Sequence, residues 1–423
     1  MQTKPTKATV ARADTAWNLR LLALLILCCG PSWAAPKFKV LHAFGKGQDG
    51  GGLWSPVTLD SNGNIYGATS GGGIHNEGVV FELIPQKSGN WSEKILHNFP
   101  SSEGDGAEPN GGLIQSSSGR WYGTTTGGGY HSLGTVFTLT PQDQGWAESP
   151  IYRFGTQHSD DGYGPVAGVT MDKAGNLFGA TPQFGDAFEL SPAPTGWKET
   201  ILHRFGLYPG DGKLPQAAPV LSPAGDLYGT TATGGTGCGS EGCGVVYELE
   251  SASDGWGKKT IHYFDNNGKD GTDPGYGALF LNSEGQIYGT TATGGAFTWG
   301  TVFRLTRVPG GKWDEKILHN FANDSNGSFP VGGVIMDSVG NLYGTTSTGG
   351  DPKCGCGVVF KLAPGPGDTW TYTVLHRFVG SDGAQPVANL IIDASGNLYG
   401  TTATGGVNGS GVVFEISTTP SPQ

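Results

Sequence analysis

The sequence predicts an all-β fold: a seven-bladed propeller of four-stranded antiparallel blades, closed by an N-terminal strand that completes the C-terminal blade. Three observations lead there. Gly and Pro supply 101 of 423 residues, against 36% hydrophobic and 14% charged, a composition poor for helices and rich in tight turns. One unit of about 56 residues recurs seven times, the signature of a repeat architecture. Each unit also holds four short strand-like segments separated by turn chemistry.

The repeat is carried by three elements. An aromatic followed by Gly falls at Tyr66, Tyr122, Phe178, Tyr228, Tyr288, Tyr343 and Tyr399. A V-F-x-L element centres on Phe81, Phe137, Phe188, Tyr247, Phe303, Phe360 and Phe414. An H-x-F element ends at Phe44, Phe99, Phe154, Phe205, Phe264, Phe321 and Phe378, with Tyr152 in place of the third His. Six Trp residues (Trp91, Trp146, Trp197, Trp256, Trp313, Trp370) each precede the first residue of that element by six positions.

Taking the last copies as examples, the first strand is expected at 386–393, the second at 397–402 and the third at 411–416, with the fourth clearest at 94–99. Asp-x-x-Gly at Asp60/Gly63, Asp172/Gly175, Asp337/Gly340 and Asp393/Gly396 suits the first hairpin, the carboxylate bonding local backbone and Gly supplying positive φ. Residues 38–44 form a fourth-type strand with no first three before it, and 387–416 supply the first three with no fourth after them. The two ends therefore complete one blade, and residues 36–418 form a single propeller followed by a short disordered tail at 419–423.

Ahead of the repeats, Lys4, Lys7, Arg12 and Arg20 precede an apolar run from Leu21 to Cys29, and Ser32-Trp33-Ala34 offers small residues for cleavage. Residues 1–34 therefore read as a secretory signal peptide, the apolar run being too short to span a bilayer. Its retention as an anchor, or a lipoprotein reading through Cys29, is the weaker alternative. Removing the leader's four basic side chains and Asp14 takes the net charge from −11 to −14. An acidic chain with no basic patch is not a nucleic-acid binder, and the mature chain carries no transmembrane segment. A secreted or periplasmic monomer is expected.

Four cysteines remain after the leader, as close pairs Cys238/Cys243 and Cys354/Cys356 in second-to-third loops of non-adjacent blades. Local disulfides in an oxidising compartment are the expectation. A four-Cys zinc site would need both loops to meet.

The combination of L-H-x-F, D-G-x-x-P, G-N-L-Y-G-T-T, a G-G loop and G-T-V-F-x-L resembles the GloVer tandem-repeat family, the choice-of-anchor tandem repeat proteins, over about residues 38–416. That resemblance implies exported bacterial proteins, often surface-tethered, with no established common activity and no catalytic residues to carry over. Residues 418–423 hold no hydrophobic tail, sorting pentapeptide or basic stop, so release rather than anchoring is expected.

Residues present in every blade are assigned to packing, including the six H-x-F histidines. Function is sought where blades differ. In a meander the second-to-third loops and fourth-to-first connections share one face. The spacing from blade aromatic to V-F-x-L aromatic runs 15, 15, 10, 19, 15, 17 and 15, which places the length changes in those loops. The non-repeated residues there, Trp54, His75, Tyr130, His131, Tyr163, Phe184, Asp186, Phe297 and Trp299, form the candidate binding face.

Aromatic platforms with few charges suit sugar stacking, and a non-catalytic module binding polysaccharide or a surface protein is the leading functional expectation. Trp54 and Trp299 could instead plug the ring. The alternative is a polysaccharide hydrolase or lyase on the same face, drawing on Glu77, Glu108, Asp186 and Glu241 or on His75 and His131 at matching positions of adjacent blades. No cofactor or metal is expected, apart from a calcium candidate in which Asp265, Asn267, Asp270 and Asp273 alternate as in calcium loops. Lys269 stands where an acid belongs, and the recurrence of Asp-Gly at that connection favours a turn.

Overall fold

The structure, a computed structural model, describes Met1 and residues 36–100, 104–155, 161–253 and 255–418. The leader and the tail lie outside the described residues. Seven four-stranded antiparallel sheets form the blades of a propeller. Blade 1 comprises Thr58–Leu59, Ile65–Thr69, Val79–Pro85 and Trp91–Asn98, innermost to outermost. Blades 2 to 6 repeat it. Blade 7 takes Ile391–Ile392, Leu398–Thr402 and Val412–Ser417 and is completed by Lys37–Ala43, paired antiparallel from Lys37↔Ser417 to Ala43↔Val412. The ring is thus closed by strand exchange between the two ends.

The repeat residues explain themselves in packing. The V-F-x-L aromatic crosses to the second strand and lies over the Gly that follows the blade aromatic: a Cβ on Gly67 would sit 2.5 Å from the Phe81 ring. Those aromatics, with the V-F-x-L Leu residues, fill the seams between blades. Each third-to-fourth pairing carries a bulge at the L-H step, as between Val80/Phe81 and its partners His97 and Ile95. The bulge bends the outer strand and re-aims the His, whose ring then meets the Phe two residues on edge to face.

The innermost strand differs from expectation, since only two residues of 386–393 pair as a strand. The chain leading into it runs along the central channel, where neighbouring blades use its carbonyls. Thr124 Oγ1 donates to Ala167 O at 2.8 Å, Thr290 Oγ1 to Gly332 O at 3.1 Å, and Thr401 Oγ1 to Ser55 O at 3.0 Å across the closure. Outer strands start earlier than expected, at the repeated Trp in blade 1.

Candidate functional site

On the face holding the second-to-third loops, the ring opens into a central funnel of about 820 Å³, narrowing into a further space of about 360 Å³. Its throat is built from one blade position. Twelve residues before each blade aromatic stand Trp54, Asn110, Val166, Gln216, Tyr276, Val331 and Val387, and all seven line this opening. The frame around them repeats while the side chains vary, so one repeated position presents five residue types, Trp, Asn, Gln, Tyr and three times Val, to one cavity.

Two residues earlier the chain turns through left-handed conformation in every blade. Blades 1 and 3 use Gly52 and Gly164, and the others place Glu108, Leu214, Phe329 and Gln385 there, with Asp273 offset by one residue, at φ between 54° and 58°. Such conformations cost about 1–3 kcal/mol each for side-chain-bearing residues, and neighbouring blades hold them. Glu108 N donates to Glu77 O, Asp273 N to Cys243 O, Phe329 N to Trp299 O and Gln385 N to Cys356 O, at 2.9–3.1 Å. The carbonyls of Glu108, Asp273, Phe329 and Gln385 accept from Thr126, Ala292, Ser347 and Ala403 of their own blades. Both disulfides, Cys238–Cys243 and Cys354–Cys356, therefore brace loops whose backbone holds the rim. The local pairing expected from sequence is found.

Trp54 and Tyr276 are each about half exposed, at 49% and 48%. Gln216 lies within hydrogen-bond reach of the Tyr276 hydroxyl, whose pKa is raised by burial and by the Asp273 charge. Burial pushes the Asp273 carboxyl up to about 6, against the Gly275 N–H, and its Oδ1 has no partner. Asn110 donates to Thr126 Oγ1 at 3.1 Å and leaves its own Oδ1 unpartnered. Glu108 lines the same funnel and accepts from Thr126 Oγ1 at 3.3 Å. Flat apolar faces and amide and carboxyl side chains thus converge on one cavity.

Of the residues singled out from sequence, Trp54 lines the throat. Tyr130, Phe184 and Phe297 are exposed on the surrounding loops, Tyr130 under the Arg153 guanidinium at 5.1 Å and Phe184 edge-on to Tyr163 at 5.4 Å. His75 and His131 are exposed in their loops, and no metal-competent group among the described residues includes either. Trp299 is only partly exposed, packed edge-on against Phe329 at 5.1 Å, so it supports the rim rather than forming a free platform.

Asp186 requires correction. It is fully buried, accepts from Gly162 N at 2.8 Å and pairs with Arg204 at 3.1 Å, so it is a structural anchor for the shortest loop. The calcium candidate is not brought together either. Asn267 Oδ1 caps the N–H groups of Lys269 and Asp270, Asp270 accepts from Asp265 N and Gly271 N, and Asp273 faces the funnel. The segment is a turn, as the recurrence of Asp-Gly indicated. Tyr276, Gln216, Asn110 and Phe329 were missed, and Asp273 was singled out only as a calcium ligand, although the throat position was recoverable as one that varies inside a repeating frame.

Among solved structures, the chain is similar to virginiamycin B lyase from Staphylococcus aureus, at 12% identity and TM-score 0.53, covering 90% of this chain and 99% of that one. It is similar also to an ancestral GH74 enzyme, at 13% identity and TM-score 0.58, covering 92% of this chain and 52% of that one. These likenesses are of fold. No curated protein sequence matches. The description of the Gloeobacter/Verrucomicrobia repeat matches residues 32–240 and 218–422, and with the seven repeats traced above this chain belongs to the Gloeobacter/Verrucomicrobia repeat family.

Proposed function

We propose that the protein is an exported, non-catalytic binding module that takes a neutral polysaccharide in its central funnel. The observation that carries this reading is the throat, where half-exposed Trp54 and Tyr276 stand among Asn110, Gln216 and Asp273. Aromatic faces stack on the C–H faces of sugars while amide and carboxylate groups take the hydroxyls. The two disulfides fit an oxidising compartment, and no helix among the described residues is long and apolar enough to cross a membrane.

The test is a broad glycan array probed with the purified protein and with its Trp54→Ala and Tyr276→Ala variants. The reading expects specific binding that falls at least tenfold in either variant. Binding unchanged by both substitutions, or a blank array, sinks it.

The hydrolase reading keeps one observation. Asp273, with its carboxyl raised to about 6, is suited to give a proton near neutral pH, and Glu108 shares its funnel. Glycan turnover abolished by Asp273→Asn while binding persists would replace the binding reading with this one.

A further inference from the structure

The geometry points to three divalent-cation sites in the seams between blades, each made by a His and an Asp of one blade and a Glu of the next: His42/Asp49/Glu93, His97/Asp105/Glu148 and His262/Asp270/Glu315. The ligand atoms of each set lie within 4.8 Å of one another.

The placement follows from the repeat. The bulge re-aims the H-x-F His into the seam, and the Asp of the following Asp-Gly connection returns to meet it. Asp49 uses Oδ1 to accept from Gly45 N and Lys46 N at 3.0 and 2.9 Å, which leaves Oδ2 facing His42 Nε2 at 3.4 Å. The third group stands four residues before the next blade's own His or its Tyr counterpart. There the strand register pairs Glu93 with Leu83, Glu148 with Leu139 and Glu315 with Leu305. Cross-strand partners share a face, and those Leu residues are fully buried, so each Glu is carried into the seam beside a second carboxylate.

A comparison of all seven seams selects these three. Between blades 3 and 4 the equivalent residue is Lys258, whose Nζ donates to Asp211 Oδ1 at 2.7 Å beside His203: the chain supplies its own cation. Between blades 2 and 3, Tyr152 replaces His and its hydroxyl meets both Glu199 and Asp161 at 2.5 Å, supplying a proton. Between blades 5 and 6 and between 6 and 7, Tyr372 and Phe38 lie face to face with His319 and His376, at 4.1 and 3.7 Å, and no second carboxylate enters. Among the described residues, the three His/Asp/Glu seams combine two carboxylates with no Lys ammonium or Tyr hydroxyl bonded between them, the Arg153 charge lying near Glu148 in the second. In these three, Oε1 of Glu93, Glu148 and Glu315 is buried with no partner within hydrogen-bond distance, as are Nε2 of His97 and, in the Tyr152 seam, Oε1 of Glu199. Two buried carboxylates side by side are costly, and a cation between them lowers that cost.

Distances and donors indicate the ion class. His42 Nε2 stands 3.4 and 3.7 Å from its two carboxylate oxygens, and His262 Nε2 stands 3.3 and 3.6 Å from its pair. These are long for hydrogen bonds and near the edge of a tetrahedron with bonds of about 2.0–2.1 Å, which is about 3.3–3.4 Å. One imidazole and two carboxylates suit Zn²⁺ or Mn²⁺, whereas Ca²⁺ wants six or more oxygens. The Arg153 charge near Glu148 makes the second of the three the weakest.

The test is calorimetric titration of tag-free, chelator-treated protein with ZnCl2 and with MnCl2, with bound metal counted by elemental analysis. Three ions per chain and a metal-dependent rise in melting temperature are expected. Glu315→Lys, which copies the seam holding Lys258, is expected to keep the fold and lower the count by one. Lys258→Glu is expected to raise it by one. Absence of binding in the folded protein, or a stoichiometry that neither substitution changes, overturns the proposal. A melting temperature that responds only to acid and not to metal assigns the seams to a shared proton and overturns it equally.

Discussion

Phe38 lies face to face with His376, ring centroids 3.7 Å apart and planes 3° from parallel. One ring belongs to the strand that enters the fold first, the other to the outer strand of the sixth blade, so the chain's beginning seals two late blades at once. Among the described residues, Lys37–Ala43 alone completes the last sheet on its outer side. Deleting residues 36–44 is expected to lower the melting temperature and bare the edge at Val412–Ser417, with aggregation visible by light scattering. Phe38→Ala, the milder change, is expected to cost about 2 kcal/mol. An unchanged melting curve for the deletion would mean that the ring does not depend on this closure.

A Cβ on Gly400 would lie 2.6 Å from both the Phe414 ring and Leu390 Cδ2. Phe414 and Leu390 are buried in the same seam cluster and cannot retreat. Gly400→Ala is therefore expected to destabilise the protein by about 1–3 kcal/mol through overpacking, read by denaturant unfolding. Because the same contact recurs in every blade, Gly67→Ala should cost a similar amount.

Two buried groups give stability a dependence on pH. Burial lowers the His319 pKa to about 4, against the pull of Asp324. A depressed basic group stays neutral in the fold, so its contribution is present above the unfolded value of about 6.5 and is lost as pH falls toward 4. His319→Phe should keep the stack on Tyr372 and flatten that acid limb. Burial raises the Glu199 carboxyl to about 7, with Asp161 and Asp186 adding to it and Tyr152 and Arg204 opposing. Its contribution is full below about 4.5 and is lost as pH rises through 7. Glu199→Gln should remove that loss in a pH series of thermal melts.

The disulfides close loops with sequence separations of five and two residues, so their stabilisation through the unfolded chain is small, about 2 kcal/mol or less each. Their larger effect is expected at the rim, because the Cys243 and Cys356 carbonyls accept from Asp273 N and Gln385 N. Cys354→Ser with Cys356→Ser should lower the melting temperature by a few degrees while weakening funnel binding more strongly. Thiol titration of the denatured, unreduced protein should find none of these four cysteines free.

The sequence by itself determined the architecture. Strands, hairpin turns and blade count follow from periodicities that repeat seven times, and repetition averages out local ambiguity: one Tyr-Gly pair says little, whereas seven in register define a seam. The end-to-end closure was legible for the same reason, since 38–44 and 387–416 are complementary fractions of one unit. What the tertiary structure decided is which side chains share a space. Trp54 and Tyr276 are 222 positions apart in sequence and meet only because the ring places one position of every blade at a common throat. Glu93 and His42 look like unrelated strand residues until curvature and the bulge turn them into the same seam. Asp186 looked like a loop carboxylate until the shortest loop drew it under Arg204. Local pattern sets the backbone, while proximity across blades depends on how the sheets close around an axis, and that is where the cavity and the buried charges acquire their chemistry.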